Sequence, residues 1–181
     1  MLSPCVPVLE DPYGVLVRPR TDRDLDACVR VLAEVHGRDG YPVDWPDDPA
    51  AWLAPPSDLA TWVAETDGRL AGHVRLSRGG PGDAAPGVWS ALSGTDAAAA
   101  AVISRLFVAP SARGQGIGAL LVQRAVAAAR ERGLWPVLDV VASDTAAAAL
   151  YERLGWRLLA TVDQEWGPGR TVAVRCYAAG A

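Results

Sequence analysis

The chain has no lysine and no asparagine, one phenylalanine, one methionine and two histidines in 181 residues. Each shortage excludes something. Without lysine, the phosphate-gripping ammonium of a P-loop cannot exist. All 17 basic residues are arginine, against 21 acidic ones, so the net charge is −4. An acidic chain is poorly suited to wrapping nucleic acid by charge. No apolar run approaches the ~20 residues that span a bilayer. The three cysteines, Cys5, Cys28 and Cys176, cannot all pair with one another, and none sits in a C-x-x-C. With His36 and His73 they are too scattered to suggest zinc, so buried free thiols and a cytoplasmic setting are expected. Met1 to Gly14 carries Pro4, Pro7 and Pro12 but no basic start and no long apolar stretch. It reads as a leader, residues 1–14, and not as a signal peptide.

Half of the residues are hydrophobic, and the length suits one domain. Val15 to Pro19 reads as a strand. Thr21 to Asp24 is an N-cap cluster, followed by apolar residues at Leu25, Cys28, Val29, Leu32 and Val35, the stripe of an amphipathic helix. Asp39 to Pro56 reads as a loop with a turn or two of helix near Ala50–Leu53. Thr61–Glu65 and Leu70–Leu76 flank Asp67-Gly68, a hairpin signal. Arg78 to Gly94, rich in Gly, Pro and Ala, is the longest expected loop. Ala101 to Val108 is a strand and Gly116 to Arg132 a helix. Pro136 to Val141 reads as a strand buried on both faces. A helix from Ser143-Asp144 to Leu154 follows, then strands at Arg157–Val162 and Thr171–Tyr177. This order predicts a single α/β domain with a mixed sheet.

The strongest chemical signal lies between an apolar strand and a long helix, in Val108-Ala109-Pro110-Ser111-Ala112-Arg113-Gly114-Gln115-Gly116-Ile117-Gly118. Alternate glycines let a ligand approach the main chain. The first turn of a helix offers free N–H groups and the positive end of its dipole, which together bind phosphate. Arg113 adds a cation there. Gly114-x-Gly116-x-x-Ala119, with Asp139 about twenty residues on, also fits a dinucleotide fingerprint. Against that, four residues separate the strand from the first glycine.

A second reading rests on family likeness. Leu106-x-Val108-x-Pro110 followed by Arg113-x-x-Gly116-x-Gly118 resembles the acyl-CoA-binding signature of the GCN5-related N-acetyltransferases. Leu138 to Asp144 and Ala148-x-Leu150-Tyr151-Glu152-Arg153-Leu154-Gly155-Trp156 resemble that family's second signature. The resemblance implies an N-acetyltransferase domain over residues 15–178. Its sheet should be mixed and mostly antiparallel, with splayed central strands flanked by helices. Acetyl-CoA should be the co-substrate, with no metal. Leu106, Phe107 and Val108 should bond the pantetheine arm, while Arg113, Gly114, Gln115, Gly116, Ile117, Gly118 and Ala119 wrap the pyrophosphate. Asp144 stands where the family often has Asn beside the CoA arm; it can cap a helix but cannot donate an amide hydrogen.

The resemblance also implies Tyr151 as the general acid that protonates the departing thiolate. Asp139 is implied as the base, with Asp96 or water as the other candidates, because the strand before the glycine turn offers only Ser104 and Arg105. Asp139 also reads as a strand-end carboxylate bonded to loop N–H groups. On the acceptor side, Tyr41, Asp44 and Trp45 lie in an acidic, aromatic loop that would attract a cationic amine; the same loop also reads as a solvated face covering the core. Trp89 and Ser90 are lid candidates. His73 reads as a core or edge residue. The expected function is direct acetyl transfer to a small-molecule or peptide amine, by a monomer or homodimer. The alternative is a non-catalytic acyl-CoA-binding regulatory module.

Overall fold

The computed structural model describes Leu9, Glu10 and residues 14–180. Its elements run β1 (Leu9–Glu10), β2 (Val15–Pro19), α1 (Leu25–Asp39), α2 (Pro49–Leu53), β3 (Asp58–Thr66), β4 (Arg69–Arg78), α3 (Ala85–Ser93), β5 (Ala100–Val108), α4 (Ile117–Glu131), β6 (Trp135–Val141), α5 (Thr145–Arg153), β7 (Arg157–Glu165) and β8 (Thr171–Ala178). Apart from Leu9, Glu10 and Gly14, the leader expected over residues 1–14 lies outside the described residues, as does Cys5. The other two thiols, Cys28 and Cys176, are free and buried.

The described strands form one sheet in the order β1-β2-β3-β4-β5-β6-β8-β7. Every pairing is antiparallel except β5 with β6. The β3–β4 hairpin turns on Asp67 and Gly68, both with positive φ, the pair of left-handed residues that a tight hairpin needs. Helix α1 buries Cys28, Val31, Leu32 and Val35 and stops at Gly40, φ +71, whose N–H donates to His36 O. That is a glycine C-cap. Helix α4 turns Leu121, Val122, Ala125, Ala128 and Ala129 into the core and packs across β2 to β6. It comes so close to β4 that a Cβ on Gly72 would lie 2.9 Å from Leu121 Cδ1 and 3.0 Å from the Phe107 carbonyl oxygen.

Strand alternation assigns the helices to faces. Gly72 meets α4, so His73, Arg75 and Ser77 point the other way. Ser77 is opposite Val102, which packs with Ala85 and Trp89 of α3. Thus α4 covers one face, with α5 beside it through Gly118 and Leu150, and α1, α2 and α3 cover the other.

Residues 85–93 are helical, which corrects the expected loop over Arg78–Gly94. Pro86 in its first turn and Gly94, φ +69, just past its end are the usual start and stop of a helix. The glycines and prolines that suggested a loop are this helix's punctuation. Trp89 is buried and stacks on Trp135 at 6.2 Å, so it is a core residue of α3 and not part of a lid.

Candidate active site

Strands β5 and β6 share a ladder only at Ala100–Trp135, Ala101–Pro136 and Val102–Val137. Beyond Val102 they diverge. From Ile103 to Val108 the side of β5 that faces β6 has no strand partner, and neither does the facing side of β6 from Leu138 onward. An unpaired edge inside a sheet leaves main-chain donors and acceptors to be satisfied by something else. Leu106, Phe107 and Val108 lie on this open stretch.

The same stretch is bulged. His73 pairs with Phe107 and Arg75 with Ser104, so Arg105 and Leu106 together stand opposite the single residue Val74. Arg105 takes φ +52, a left-handed conformation that strains a non-glycine residue by roughly 1–3 kcal/mol. The bulge bends β5 away from β6.

The chain then turns through Pro110–Ala112 into α4. Gly114 and Gly116 have φ +79 and +76, and a Cβ on either would meet nothing within 4 Å. These positions need glycine for the backbone and present open space to a ligand. Gly118 is held for another reason: its Cβ would lie 3.4 Å from Leu150 Cδ2. No side chain caps α4, so the N–H groups of Ile117, Gly118 and Ala119 have no intrahelical acceptor. Ala112 is buried beneath the turn, whereas Gln115 is exposed. The residues here suit a diphosphate.

Arg113 is half-exposed and paired with Asp39 at the end of α1. This raises the guanidinium and holds the Asp39 carboxyl below its ordinary range. A diphosphate bound at the turn would compete with Asp39 for Arg113. Asp39→Asn is therefore expected to tighten acetyl-CoA binding up to about fivefold, the scale of an exposed ion pair. Titration calorimetry at low salt checks this, and weaker binding would mean that Asp39 orients Arg113 instead.

Tyr151 comes from α5. Its ring packs edge-on to Trp156 at 5.7 Å and near Tyr177 at 6.2 Å. Burial pushes its pKa above the ordinary phenol value, and Tyr41 and Asp144 add to the rise. Tyr41, from the loop after α1, is raised for the same reason and feels Arg105 and Asp144. Three expected residues, Tyr41, Asp144 and Tyr151, are thus brought into one neighbourhood. The Asp144 carboxylate accepts from Ala147 N at 2.9 Å and caps α5.

Asp139 projects from the opposite face of β6. Its two oxygens accept from Ala84 N and Ala85 N, both at 2.8 Å, at the start of α3. Burial raises its pKa, against the lowering effect of those N–H groups and of the Cys176 thiol. Asp96, the other carboxylate considered, caps the turn before β5 through Ala98 N. In the loop after α1, Asp44 is held by Arg170 Nη1 at 2.8 and 2.9 Å, Asp48 caps α2 through Ala51 N, and Trp45 tilts over His36 at 5.1 Å. The carboxylates of this loop at positions 39, 44 and 48 are therefore engaged within the chain.

The sequence reading passed over Trp52 and read Arg105 only as the lack of a carboxylate. Yet the Arg105 guanidinium lies 4.4 Å from the centre of the Trp52 ring, on the α1–α2 face beside Tyr41. Two cavities, of about 420 and 330 Å³, lie elsewhere, one between α4 and Leu154–Trp156 and one around Arg20, Trp62 and Arg124.

A sheet split beside a glycine turn that leads into a helix is the α/β arrangement that the family likeness implies for handling acyl-CoA. The acetyltransferase (GNAT) family model matches residues 26–156, more than half of the chain, and the protein belongs to that family of acyltransferases. Several solved structures share the fold. A GCN5-related N-acetyltransferase from Kribbella flavida is 24% identical, with a TM-score of 0.66, over 93% of this chain and 98% of its own. The ribosomal-protein-S18-alanine N-acetyltransferase from Escherichia coli is 18% identical, with a TM-score of 0.66, over 91% and 92%. The yncA protein from Salmonella typhimurium, solved with its cofactor acetyl-CoA, is 19% identical, with a TM-score of 0.67, over 91% and 92%. No curated protein matches the sequence. Among the described residues, no helix is long and apolar enough to cross a membrane, and no group of three His, Cys, Asp or Glu could hold a metal ion.

Proposed function

We propose that the protein transfers an acetyl group from acetyl-CoA to an amine by direct attack. The observation that carries this reading is the three-residue β5–β6 ladder opening beside the uncapped start of α4. Acetyl-CoA supplies the activated thioester. Main-chain groups of Leu106, Phe107 and Val108 hold the pantetheine arm along the unpaired edge, and one N–H there polarises the thioester carbonyl. Such a donor is worth roughly 3 kcal/mol in other enzymes. Arg113 and the main chain from Gly114 to Ala119 hold the diphosphate.

Tyr151 gives a proton to the departing sulfur. Asp139 or a water takes the proton from the amine; the two N–H bonds already on Asp139 favour water. Tyr41 and Asp144 border the opening, and Asp44 and Trp45 frame the loop on its acceptor side. Tyr151 and Asp139 stand on opposite faces of the sheet, as expected if donor and acceptor enter the split from opposite sides.

Incubation with acetyl-CoA and a panel of amines, read by thiol release, tests the reading. Tight CoA binding with no thiol released by any amine would replace it with a non-catalytic acyl-CoA-binding module.

Asp139→Asn separates base from cap. With water as the proton acceptor, kcat stays within about threefold and the acid limb of the pH profile is unchanged, whereas loss of a general base would cost about a hundredfold or more. Stability gives a second readout. Burial raises the Asp139 pKa, so its contribution is fully present in acid and declines as pH rises through the folded-state value. The wild-type advantage in Tm over the variant is expected to be largest in acid and to shrink toward neutrality.

A further inference from the structure

On the α1–α2 face of the split, Arg105 has no counterion; Arg20, which also lacks an ion pair, is at least held by the Leu53 carbonyl at 2.7 Å. Arg105 Nη1 is sealed from solvent without a hydrogen-bond partner, and among the described residues no carboxylate stands within ion-pair distance of this guanidinium. Its neighbour Arg75 differs: it is paired with Asp58 and donates to Ser57 Oγ at 3.1 Å. Burial and the Arg75 charge together pull the Arg105 pKa down to about 10. A desolvated charge left unpaired is costly.

The fold nevertheless fixes Arg105 in place. Its backbone is left-handed at φ +52. The fully buried His73 donates from Nδ1 to the Arg105 carbonyl at 2.9 Å and stacks on Phe107 at 5.2 Å. Burial lowers the His73 pKa to about 4, so the ring is neutral and adds no charge. Trp52 backs the guanidinium from α2. Ser104 Oγ, on the same strand, is also buried without a partner. Strain, burial and missing partners coincide on the face where the acceptor would enter, within electrostatic reach of Tyr41, which in turn influences Tyr151. What this corner lacks is an oxyanion.

We propose that the acceptor is an amine that also carries a carboxylate, as a free amino acid does, and that Arg105 pairs with that carboxylate against the Trp52 ring. The inference rests on the acetyltransferase reading above and names its substrate class. It runs against a purely cationic acceptor drawn by the acidic loop, because Asp39 and Asp44 are paired with arginines and Asp48 caps α2, which leaves Asp47 alone of the loop's carboxylates without a partner among the described residues. It also runs against a peptide N-terminus, whose α-carbonyl is an uncharged amide.

The test uses the full chain, acetyl-CoA and matched acceptors: free amino acids, their carboxamides, the corresponding decarboxylated amines and a tripeptide amide. The expected result is a kcat/KM for the acids about ten- to a hundredfold above that for their neutral partners, the range of a charge-assisted hydrogen bond. Arg105→Gly accepts the positive φ and is expected to keep the bulge. It should abolish the preference, raising KM for the acids with little change in kcat. Arg105→Lys should retain part of it. Equal rates, a preference for the amides or the peptide, or no transfer to the acids overturns the proposal, as does a preference that survives Arg105→Gly. Calorimetry with acetyl-CoA separates the two levels. If acetyl-CoA does not bind, the acetyltransferase reading falls too. If it binds and neutral amines are the better acceptors, only the assignment of Arg105 falls.

Discussion

Tyr151→Phe is expected to lower kcat by about a hundredfold or more, the contribution of a positioned general acid, at saturating concentrations of both substrates. Acetyl-CoA affinity should not change. The ring is what packs against Trp156 and Tyr177, and phenylalanine keeps it. Among the described residues the Tyr151 hydroxyl has no hydrogen-bond partner, so its removal leaves no protein group unpaired and Tm should stay within a degree or so of wild type. Burial raises the Tyr151 pKa, so the phenol stays protonated at every ordinary assay pH and sets no alkaline limb. A raised phenol is a weaker acid, but the departing thiolate shares the same desolvation, which raises its proton affinity as well. The two therefore remain matched. Acyl donors with more acidic thiols need less protonation and should lose less rate in the variant, a trend that a packing role would not produce. An unchanged kcat across pH would remove Tyr151 from the chemistry.

Much of the framework was legible because local signals agreed with tertiary ones. The α4 stripe ends just before Gly133, with positive φ, whereas α1 runs on past Gly37, where the sequence suggests a stop, to its left-handed cap at Gly40. Asp67-Gly68 forms the tight hairpin, and the splayed central strands implied by the family likeness are those of β5 and β6. Helix α3 was hidden because Pro86 and Gly94 read as loop residues when the apolar face between them is only Trp89 and its neighbours. The bulge at Arg105 was hidden for a different reason. Left-handed residues are usually Gly, Asn or Asp, and an arginine held there by a histidine 32 residues away leaves no local trace. Asp139 is similar: both readings of it were open in the sequence, and its partners at Ala84 and Ala85 lie more than fifty residues upstream. The acidic loop looked like free charge because the arginines that engage Asp39 and Asp44 come from the α4 turn and the last hairpin.

Gly116→Ala is expected to weaken acetyl-CoA binding by about a hundredfold, equivalent to losing one or two charge-assisted hydrogen bonds. Two effects contribute. An alanine at φ +76 is strained by roughly 1–2 kcal/mol, and relaxing that strain turns the N–H groups at the start of α4 away from a common focus. The new methyl also projects into open space, on the side where a phosphate must approach the main chain. Gly133→Ala supplies the control at the other end of the same helix. Its φ is +68 and its Cβ likewise meets nothing within 4 Å, so the backbone strain is comparable with no binding turn nearby. Both variants should lose similar Tm without ligand. Only Gly116→Ala should lose most of the thermal stabilisation that added acetyl-CoA provides, because ligand stabilisation follows occupancy. Equal affinity in both variants would mean that the turn is a structural hinge, and the diphosphate would have to be held elsewhere.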